Sequence, residues 1–268
     1  VGYHSVIPDY QNYIDPINVV DRALGIYRLS SIPHTTLLRG IKRNITYEGD
    51  YTIVEYFTPK GNIKTKVRYD ESMLQAGITS SHVAEYGIKT VDDYEPVAYI
   101  LEHAEVLPAY DNYLYLKEEI GNRGIPVARC CMGAGAMHYI LKELMPFDLF
   151  FYHYFDHPNE LKWLAERVSI YLEKLFNVTL QSPAEIIIIG ANFDKGITWP
   201  PFFKKYITPY LAEKADILHS KGKYLLSHTD GENEGLLEEY LASKIDVADS
   251  ICPKPMTSHT LKEIREVF

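Results

Sequence analysis

The stretch AEIIIIGAN, Ala184–Asn192, contains four consecutive isoleucines followed by glycine and alanine. A continuous apolar run of this length, without alternation, indicates a strand that is buried on both faces. Two similar segments follow, KYLLSHT at Lys223–Thr229 and IDVADSICP at Ile245–Pro253, and segments with helical spacing separate the three. Buried strands that alternate with helices indicate a parallel sheet covered by helices, so we predict an α/β fold.

The same signals predict elements on both sides of this region. IPVARC at Ile125–Cys130 is a short buried strand, and the alternating segments Tyr51–Phe57 and Ile63–Tyr69 flank the turn sequence TPKGN. We therefore predict an antiparallel hairpin near residues 51–69. Helices are predicted in DPINVVDRALGIYRL (from Asp15), TVDDYEPVAYILEHAEVLPAY (from Thr90 or Asp92), GAMHYILKELM, DHPNELKWLAERVSIYLEKLFN (entered at Pro158), PPFFKKYITPYLAEKADILHSKG, GLLEEYLASK and TLKEIREVF.

The domain organisation follows from length and from the absence of linkers. The 268 residues contain no repeat or low-complexity segment, so we predict a single domain over residues 1–268. The chain stops at Phe268, inside a predicted helix, with no capping glycine and no following strand. We therefore expect this domain to be incomplete at the C-terminus and to lack a first strand at the N-terminus.

Charge and composition exclude several classes of protein. The formal net charge of −9 disfavours a nucleic-acid binder, which ordinarily presents a basic face. The longest apolar runs are too short to span a bilayer, so no membrane partner is expected. Three cysteines, an odd number, do not form a disulfide framework, and we predict a reducing, cytoplasmic location.

Chemistry-bearing side chains gather where predicted parallel strands end, which is where α/β folds place their working groups. These candidates are Arg129, Cys130 and Cys131; Asn192 and Asp194; His228, Asp230 and Glu232; and Ser250 and Cys252. Residues two apart in an extended segment point the same way, so His228 and Asp230 can meet one metal ion, joined by Cys252 from the neighbouring strand. Alternatively, His228 is an acid–base group or a hydrogen-bonded histidine, and Asp230 caps the following turn or helix.

A second pair of histidines, His153 and His157, has the i, i+4 spacing that binds metals on one continuous helix. Pro158 follows directly and begins the next predicted helix. We therefore expect the pair to straddle a helix boundary and to be structural.

The segment from Ile186 to Ser250, with its PPFFKKYITPY helix and the motif His228-Thr-Asp230-Gly231, resembles the uroporphyrinogen decarboxylase superfamily. It is most similar to the branch of corrinoid-linked methyltransferases. YFTPKGNIKTK and EYGIKTVDDYEPV also look like segments of this branch, and the resemblance covers the chain from about residue 45. It implies a (β/α)₈ TIM barrel.

The resemblance also implies an activity. In the methyltransferase branch, a zinc ion activates the substrate, and the methyl group passes to or from a cobalamin carried on a separate corrinoid protein. The family pattern His-x-Cys with a later Cys would place His228 on zinc, with Asp230 in place of the first cysteine and Cys252 as a further candidate. A carboxylate ligand suits oxygen chemistry, so a methoxylated aromatic is the expected methyl donor, in an O-demethylation.

In this assignment Asn192 and Asp194 orient the substrate beside His228, and Arg129 binds an anionic group on it. The nearest rival is a decarboxylase like the superfamily's own, but its arginine-rich R-Q-A-G-R segment is absent, since QAGITS at Gln75 lacks both arginines. A metal-free binding member of the same fold is the remaining alternative.

Overall fold

The computed structural model describes residues 26–29, 32–78 and 81–268. The chain divides into two compact units. Unit 1 comprises residues 1–35, 106–135 and 174–268, and unit 2 comprises residues 36–105 and 136–173. The division into compact units does not decide whether residues 1–268 form a single domain, and this stays a prediction.

The elements are numbered here in chain order over the described residues. The strands are β1 Ile26–Leu29, β2 His34–Leu38, β3 Lys42–Glu48, β4 Tyr51–Thr58, β5 Gly61–Arg68, β6 His82–Glu85, β7 Ala104–Pro108, β8 Gly124–Cys131, β9 Ile186–Ala191, β10 Tyr224–His228 and β11 Val247–Asp249. The helices are α1 Glu71–Gln75, α2 Tyr94–His103, α3 Asp111–Ile120, α4 Ala136–Tyr139, α5 Phe147–Asp156, α6 Pro158–Leu180, α7 Pro200–Phe202, α8 Thr208–His219, α9 Leu237–Ala242 and α10 Leu261–Val267. Within the described ranges, none of the helices has the combination of length and apolarity that crossing a membrane requires.

Unit 1 is built on a five-stranded parallel sheet in the order β1-β8-β9-β10-β11. The isoleucine run lies in β9, where Ile187 and Ile189 are fully buried and Ile188 nearly so. The predicted α/β class and the strands at β8, β9, β10 and β11 are confirmed. The described residues show this sheet and not a complete eight-stranded barrel.

The start of the chain differs from the prediction. The helix predicted from Asp15 lies outside the described residues as far as residue 25, but its last part, Ile26–Leu29, forms β1. This strand pairs in parallel with Gly124–Val127. Four residues are too few for their spacing to distinguish strand from helix, and the neighbouring strand decides the outcome.

Unit 2 contains a four-stranded antiparallel sheet in the order β3-β4-β5-β6. The predicted hairpin is confirmed as β4 and β5, with Tyr51 opposite Arg68 and Thr58 opposite Gly61. Ile53 and Ile63, which the register places on opposite faces of the hairpin, are both buried. The two outer strands were not predicted, because they are short or largely exposed and have little apolar pattern.

The helix predicted from Thr90 or Asp92 begins as expected but ends early. The backbone N–H of Thr90 donates to Asp93 Oδ2 at 2.9 Å, and a 3₁₀ turn leads into α2. The prediction was wrong beyond His103, where the chain becomes β7 and pairs with β2. This segment ends in Pro108, which cannot continue a helix ladder but is tolerated at the end of an edge strand.

The long helix predicted around Pro209 is divided into three parts. A π-helical turn, Phe203–Ile207, separates α7 from α8, and Pro209 lies in the first turn of α8. Proline has no N–H and its ring crowds the preceding turn, so a wider π turn accommodates it without ending the helix. A similar turn, Ile140–Leu144, follows α4 in the helix predicted as GAMHYILKELM.

The buried His138 of unit 2 makes the stability depend on pH. Burial, followed by the charge of Lys142, lowers the His138 pKa from 6.5 to about 3. Between these values the unfolded chain binds more protons than the folded chain, so the free energy of unfolding should fall as the pH drops below about 6.5. In urea unfolding, the free energy of unfolding should fall less between pH 7 and pH 4.5 in His138→Gln than in the wild type. An equal fall in the two proteins would contradict this assignment. So would an equally reduced fall in the control His82→Gln, whose histidine is exposed.

Candidate functional site

The candidate site lies in unit 1, where β9, β10 and β11 end at the same edge of the sheet. The loops that follow these strands are hydrogen-bonded to one another. The backbone N–H of Asn192 donates to the His228 carbonyl at 3.1 Å, and that of Lys195 donates to the Glu232 carbonyl at 2.9 Å. Glu232 Oε2 accepts from both the N–H and the hydroxyl of Ser258, at 2.9 and 2.8 Å. The three loops therefore form a connected frame around His228.

A bulge explains why the isoleucine run ends in glycine. Leu226 lies opposite Ile188, but His228 lies opposite Ala191, so β9 contains one extra residue. Gly190 has a φ of 79°, and a Cβ there would lie 2.8 Å from both Ala134 Cβ and Phe193 Cζ. Only glycine fits this conformation and this space. The bulge changes the register of the two strands just before His228.

His228 is held by Asp249 of the neighbouring strand. The two residues are register partners in β10 and β11, and His228 Nδ1 lies 2.6 Å from Asp249 Oδ2. Thr229 continues the contact by donating its N–H to the Asp249 carbonyl at 2.8 Å. A carboxylate on Nδ1 fixes the orientation of the imidazole and leaves Nε2 as its working atom.

The electrostatics of the pair favour a charged histidine. The hydrogen bond to Asp249 is the largest influence on the His228 pKa and raises it, with Asp230 adding to the effect and burial opposing it. Burial alone would raise the pKa of Asp249, but the hydrogen bond and the charge of His228 outweigh burial and lower it. Both shifts favour the charged form of the group concerned, the imidazolium of His228 and the carboxylate of Asp249.

Asp230 faces the other nitrogen of the ring. Asp230 Oδ2 lies 3.4 Å from His228 Nε2, longer than an ordinary N–H···O bond. Its second oxygen, Oδ1, is buried and has no hydrogen-bond partner among the described residues. The predicted His228–Asp230 pair is thus brought together, and Asp230 keeps one buried oxygen whose hydrogen-bonding capacity is unused within the described residues.

Asp194 and Asn192, predicted to orient substrate, lie in the loop after β9. Both carboxylate oxygens of Asp194 bind backbone: Oδ1 accepts from Gly196 at 2.7 Å and Oδ2 from Glu232 at 2.8 Å. Asn192 has an exposed side chain and a φ of 58°, a left-handed conformation that asparagine tolerates. Asp194 therefore fastens two loops together, and the catalytic roles of both residues stay predictions.

Arg129, the predicted anion-binding residue, lies deeper in the sheet. It is the register partner of Ile188, three positions before the Ala191 that pairs with His228, and it sits two strands away. At about 3.3 Å per residue, its Cα lies on the order of 10 Å below the level of Ala191 and about 7 Å before the end of its own strand at Cys131. Its Nε is buried and has no hydrogen-bond partner within the described ranges. The structure does not bring Arg129 into contact with His228.

Two of the candidate cysteines, Cys131 and Cys252, donate to backbone carbonyls. Cys252 Sγ donates to the Ser250 carbonyl at 3.3 Å, and the buried Cys131 Sγ donates to the Gly133 carbonyl at 3.1 Å. In the part of the chain that is described, no three His, Cys, Asp or Glu side chains are arranged to hold a metal ion. His228 and Asp230 supply two donors, whereas catalytic zinc sites use three protein ligands. The described side chains do not complete a zinc site, and Cys252 as a ligand stays a prediction.

The second histidine pair straddles a helix boundary, as predicted. α5 ends at Asp156 and α6 begins at Pro158, with His157 between them. His153 is buried, and its Nδ1 lies 2.7 Å from the Tyr94 hydroxyl. This contact gives His153 a structural role inside unit 2.

Asp249 is the site residue that the sequence did not indicate. The segment IDVADSIC offers two aspartates, Asp246 and Asp249, with no local feature to rank them. Asp246 lies at the start of β11, where its Oδ2 accepts from the Leu225 N–H at 2.7 Å. The position of each residue relative to β10 decides which aspartate meets His228. Counting the register from the predicted strand starts, Lys223 and Ile245, would have placed Ser250 opposite His228, so no signal in the sequence selects Asp249.

Comparison with known proteins adds no assignment to this geometry. No protein-family model matches the chain. No curated protein matches it either. The resemblance to the uroporphyrinogen decarboxylase superfamily therefore stays a prediction based on the motifs quoted above.

Proposed function

We propose that this protein is a methyltransferase of the uroporphyrinogen decarboxylase type, acting in the cytoplasm. It would move a methyl group from a small donor, such as a methoxylated aromatic, to a corrinoid on a separate protein. The supporting observation is His228, held by Asp249 at the carboxyl edge of a parallel sheet. We further propose that this sheet is part of a (β/α)₈ barrel, since its strands neighbour one another in chain order without the reversal of a doubly wound sheet.

In this proposal His228 supplies a proton. When the carbon–oxygen bond of a methyl ether breaks, its electron pair stays on oxygen, and the methyl carbon accepts a pair from the reduced corrinoid. The oxygen then takes the proton of His228 Nε2 and leaves as a phenol. Asp249 favours the imidazolium form of His228, which is the form that donates the proton. Asp230 lies close enough to His228 Nε2 to stabilise the positive charge of that ring.

His228 Nε2 can act either as a zinc ligand or as a proton donor. A metal on Nε2 excludes a proton there, so the two roles predict different metal contents. Metal analysis of the purified full chain therefore distinguishes them. Bound zinc lost in His228→Ala would assign Nε2 to the metal, whereas active zinc-free protein would assign it to the proton.

The activity is tested with free cob(I)alamin as methyl acceptor under anaerobic conditions, so that the partner protein need not be known. The purified chain is incubated with a panel of methoxylated benzoates and phenols, and the demethylated phenol is measured by chromatography. Protein-dependent release of a phenol from at least one donor is expected. No release from any donor, with carbon dioxide released from a carboxylated one, would favour the decarboxylase.

The environment of Arg129 favours a carboxylated substrate, whether the reaction is methyl transfer or decarboxylation. A buried guanidinium nitrogen without a partner in the described structure suits an anionic group. Replacing Arg129 by methionine should raise the KM for a carboxylated substrate about tenfold, because a charge-assisted hydrogen bond is lost. The KM for an uncharged analogue should change little. Equal changes for both substrates would assign Arg129 a structural role.

A further inference from the structure

The two edge strands of the unit 2 sheet, β3 and β6, differ in length and in regularity of pairing, and these properties decide whether an edge can pair with another chain. β6 has four residues, and the register of its pairing shifts beside Lys66 and Val67. β3 has seven residues, and its register with β4 is continuous from Lys42 to Glu48. Short or bulged edges resist pairing with another chain, whereas a long regular edge accepts it. Within the described structure, only β3 offers such an edge in this sheet.

β3 is also exposed along its whole length. Every residue from Lys42 to Glu48 is exposed, including the apolar side chains of Ile45, 41% exposed, and Tyr47, 77% exposed. β3 ends the sheet order, and no further strand pairs with it in the described part of the chain. One long edge of backbone donors and acceptors is thus open to a partner.

The sequence of β3, KRNITYE, complements itself in the antiparallel sense. If two copies pair with Ile45 opposite Ile45, all seven residues find partners. Lys42 then lies opposite Glu48 at both ends of the pairing, and Arg43 lies opposite Tyr47. Directly opposed residues share a face, so this register forms two opposite-charge pairs on one face and two cation–aromatic pairs on the other.

The terminal charges are only loosely engaged within the chain. Lys42 Nζ lies 5.5 Å from the centre of the Phe57 ring. Glu48 Oε2 lies 4.0 Å from Lys66 Nζ, and its side chain is 65% exposed. Neither contact competes strongly with a direct cross-strand ion pair.

We propose that β3 pairs with β3 of a second copy about a two-fold axis centred on Ile45, joining two four-stranded sheets into one of eight strands. A symmetric pairing of this kind is isologous and closed, so it produces a dimer and no longer assembly. The backbone hydrogen bonds supply most of the contact, and the charge pairs select the register.

Sedimentation velocity of the full chain over a range of concentrations tests this dimer. We expect a reversible monomer–dimer equilibrium in the wild type. Lys42→Glu places like charges opposite each other at both ends and should weaken the dimer about tenfold or more. The double variant K42E/E48K restores opposite charges and should recover the affinity. Lys64→Glu, the same charge change on the interior strand β5, should leave the affinity unchanged.

Directed cross-linking supplies a second test that does not depend on charge. In a background in which Cys252 is serine, Ile45→Cys should form a disulfide-linked dimer on mild oxidation, because residue 45 faces itself across the axis. Ala84→Cys on the edge strand β6 is the matched control and should cross-link far more slowly. A wild type that stays monomeric at all concentrations overturns the proposal. So does a dimer that Lys42→Glu does not weaken or that Ile45→Cys does not trap.

Discussion

Replacing His228 by alanine is expected to reduce methyl transfer about a thousandfold, the usual range for the loss of a positioned proton donor. The reason is geometric: Nδ1 is committed to Asp249 at 2.6 Å, so Nε2 is the ring atom left for substrate. Turnover with saturating donor and free cob(I)alamin measures the effect. The fold should be retained, because the His228 side chain is partly exposed.

The chain provides a matched control for this variant. His219 also pairs with an aspartate, its Nε2 lying 2.9 Å from Asp246 Oδ2, but this pair lies near the start of β11 and away from the carboxyl edge of the sheet. His219→Ala should leave turnover nearly unchanged. Equal losses in His219→Ala and His228→Ala would show a general effect on stability and remove His228 from the reaction.

Asp249→Asn refines the same test. The variant keeps the shape of the hydrogen bond but loses the charge that raises the His228 pKa. The imidazolium then loses its proton at lower pH, so the alkaline limb of the pH–rate profile should move to lower pH. A structural role for Asp249 alone would lower the rate without moving this limb.

Gly231→Ala is expected to destabilise the protein by about 3 kcal/mol, because no relaxation of one side chain can make room for the methyl group. A Cβ at Gly231 would lie 2.3 Å from the Phe193 carbonyl oxygen and 2.7 Å from Asp194 Cβ. To relieve this clash, the loop after β10 would have to move away from the loop after β9. That movement would break the hydrogen bond from the Glu232 N–H to Asp194. Urea unfolding measures the loss.

Gly196→Ala serves as the comparison for this variant. A Cβ there would approach only the Asp194 carboxylate, at 3.1 Å, and a carboxylate can rotate. Its cost should be at most about 1 kcal/mol. If the Gly231 variant is no less stable than the Gly196 variant, the tight approach of the two loops is not a feature of the protein in solution.

The sequence predicted well the elements whose pattern is set by burial alone. β9, β10 and the hairpin of β4 and β5 have runs or alternations that only one environment satisfies. β1, β6 and β7 were missed or misassigned because they are short, and β3 was missed because it is exposed along its whole length. Their conformation depends on strands far away in the sequence, and local propensity does not contain that information.

The candidate site shows the same difference between residues set by local pattern and residues set by long-range pairing. His228 and Asp230 could be predicted because they are close in sequence and follow a buried strand. Asp249 could not, since its role arises from register across two strands, and a shift of one residue would turn its side chain to the other face. Asp194 is a catalytic candidate by position, and its carboxylate accepts hydrogen bonds from the Gly196 and Glu232 backbones, an anchoring role that its position in the sequence did not indicate.

The way the chain alternates between the two units has a consequence for its synthesis. Unit 2 has its last residue at position 173, whereas unit 1 still needs residues 174–268, which contain three of its five parallel strands. The antiparallel sheet is therefore translated in full while β8, whose neighbour β1 is already translated, still lacks its other neighbour, β9. Because domains fold as units during translation, we expect unit 2 to fold first and the edge of β8 that meets β9 to stay unpaired until residues 186–191 are translated. A chaperone that binds the nascent chain would find its main target in that strand.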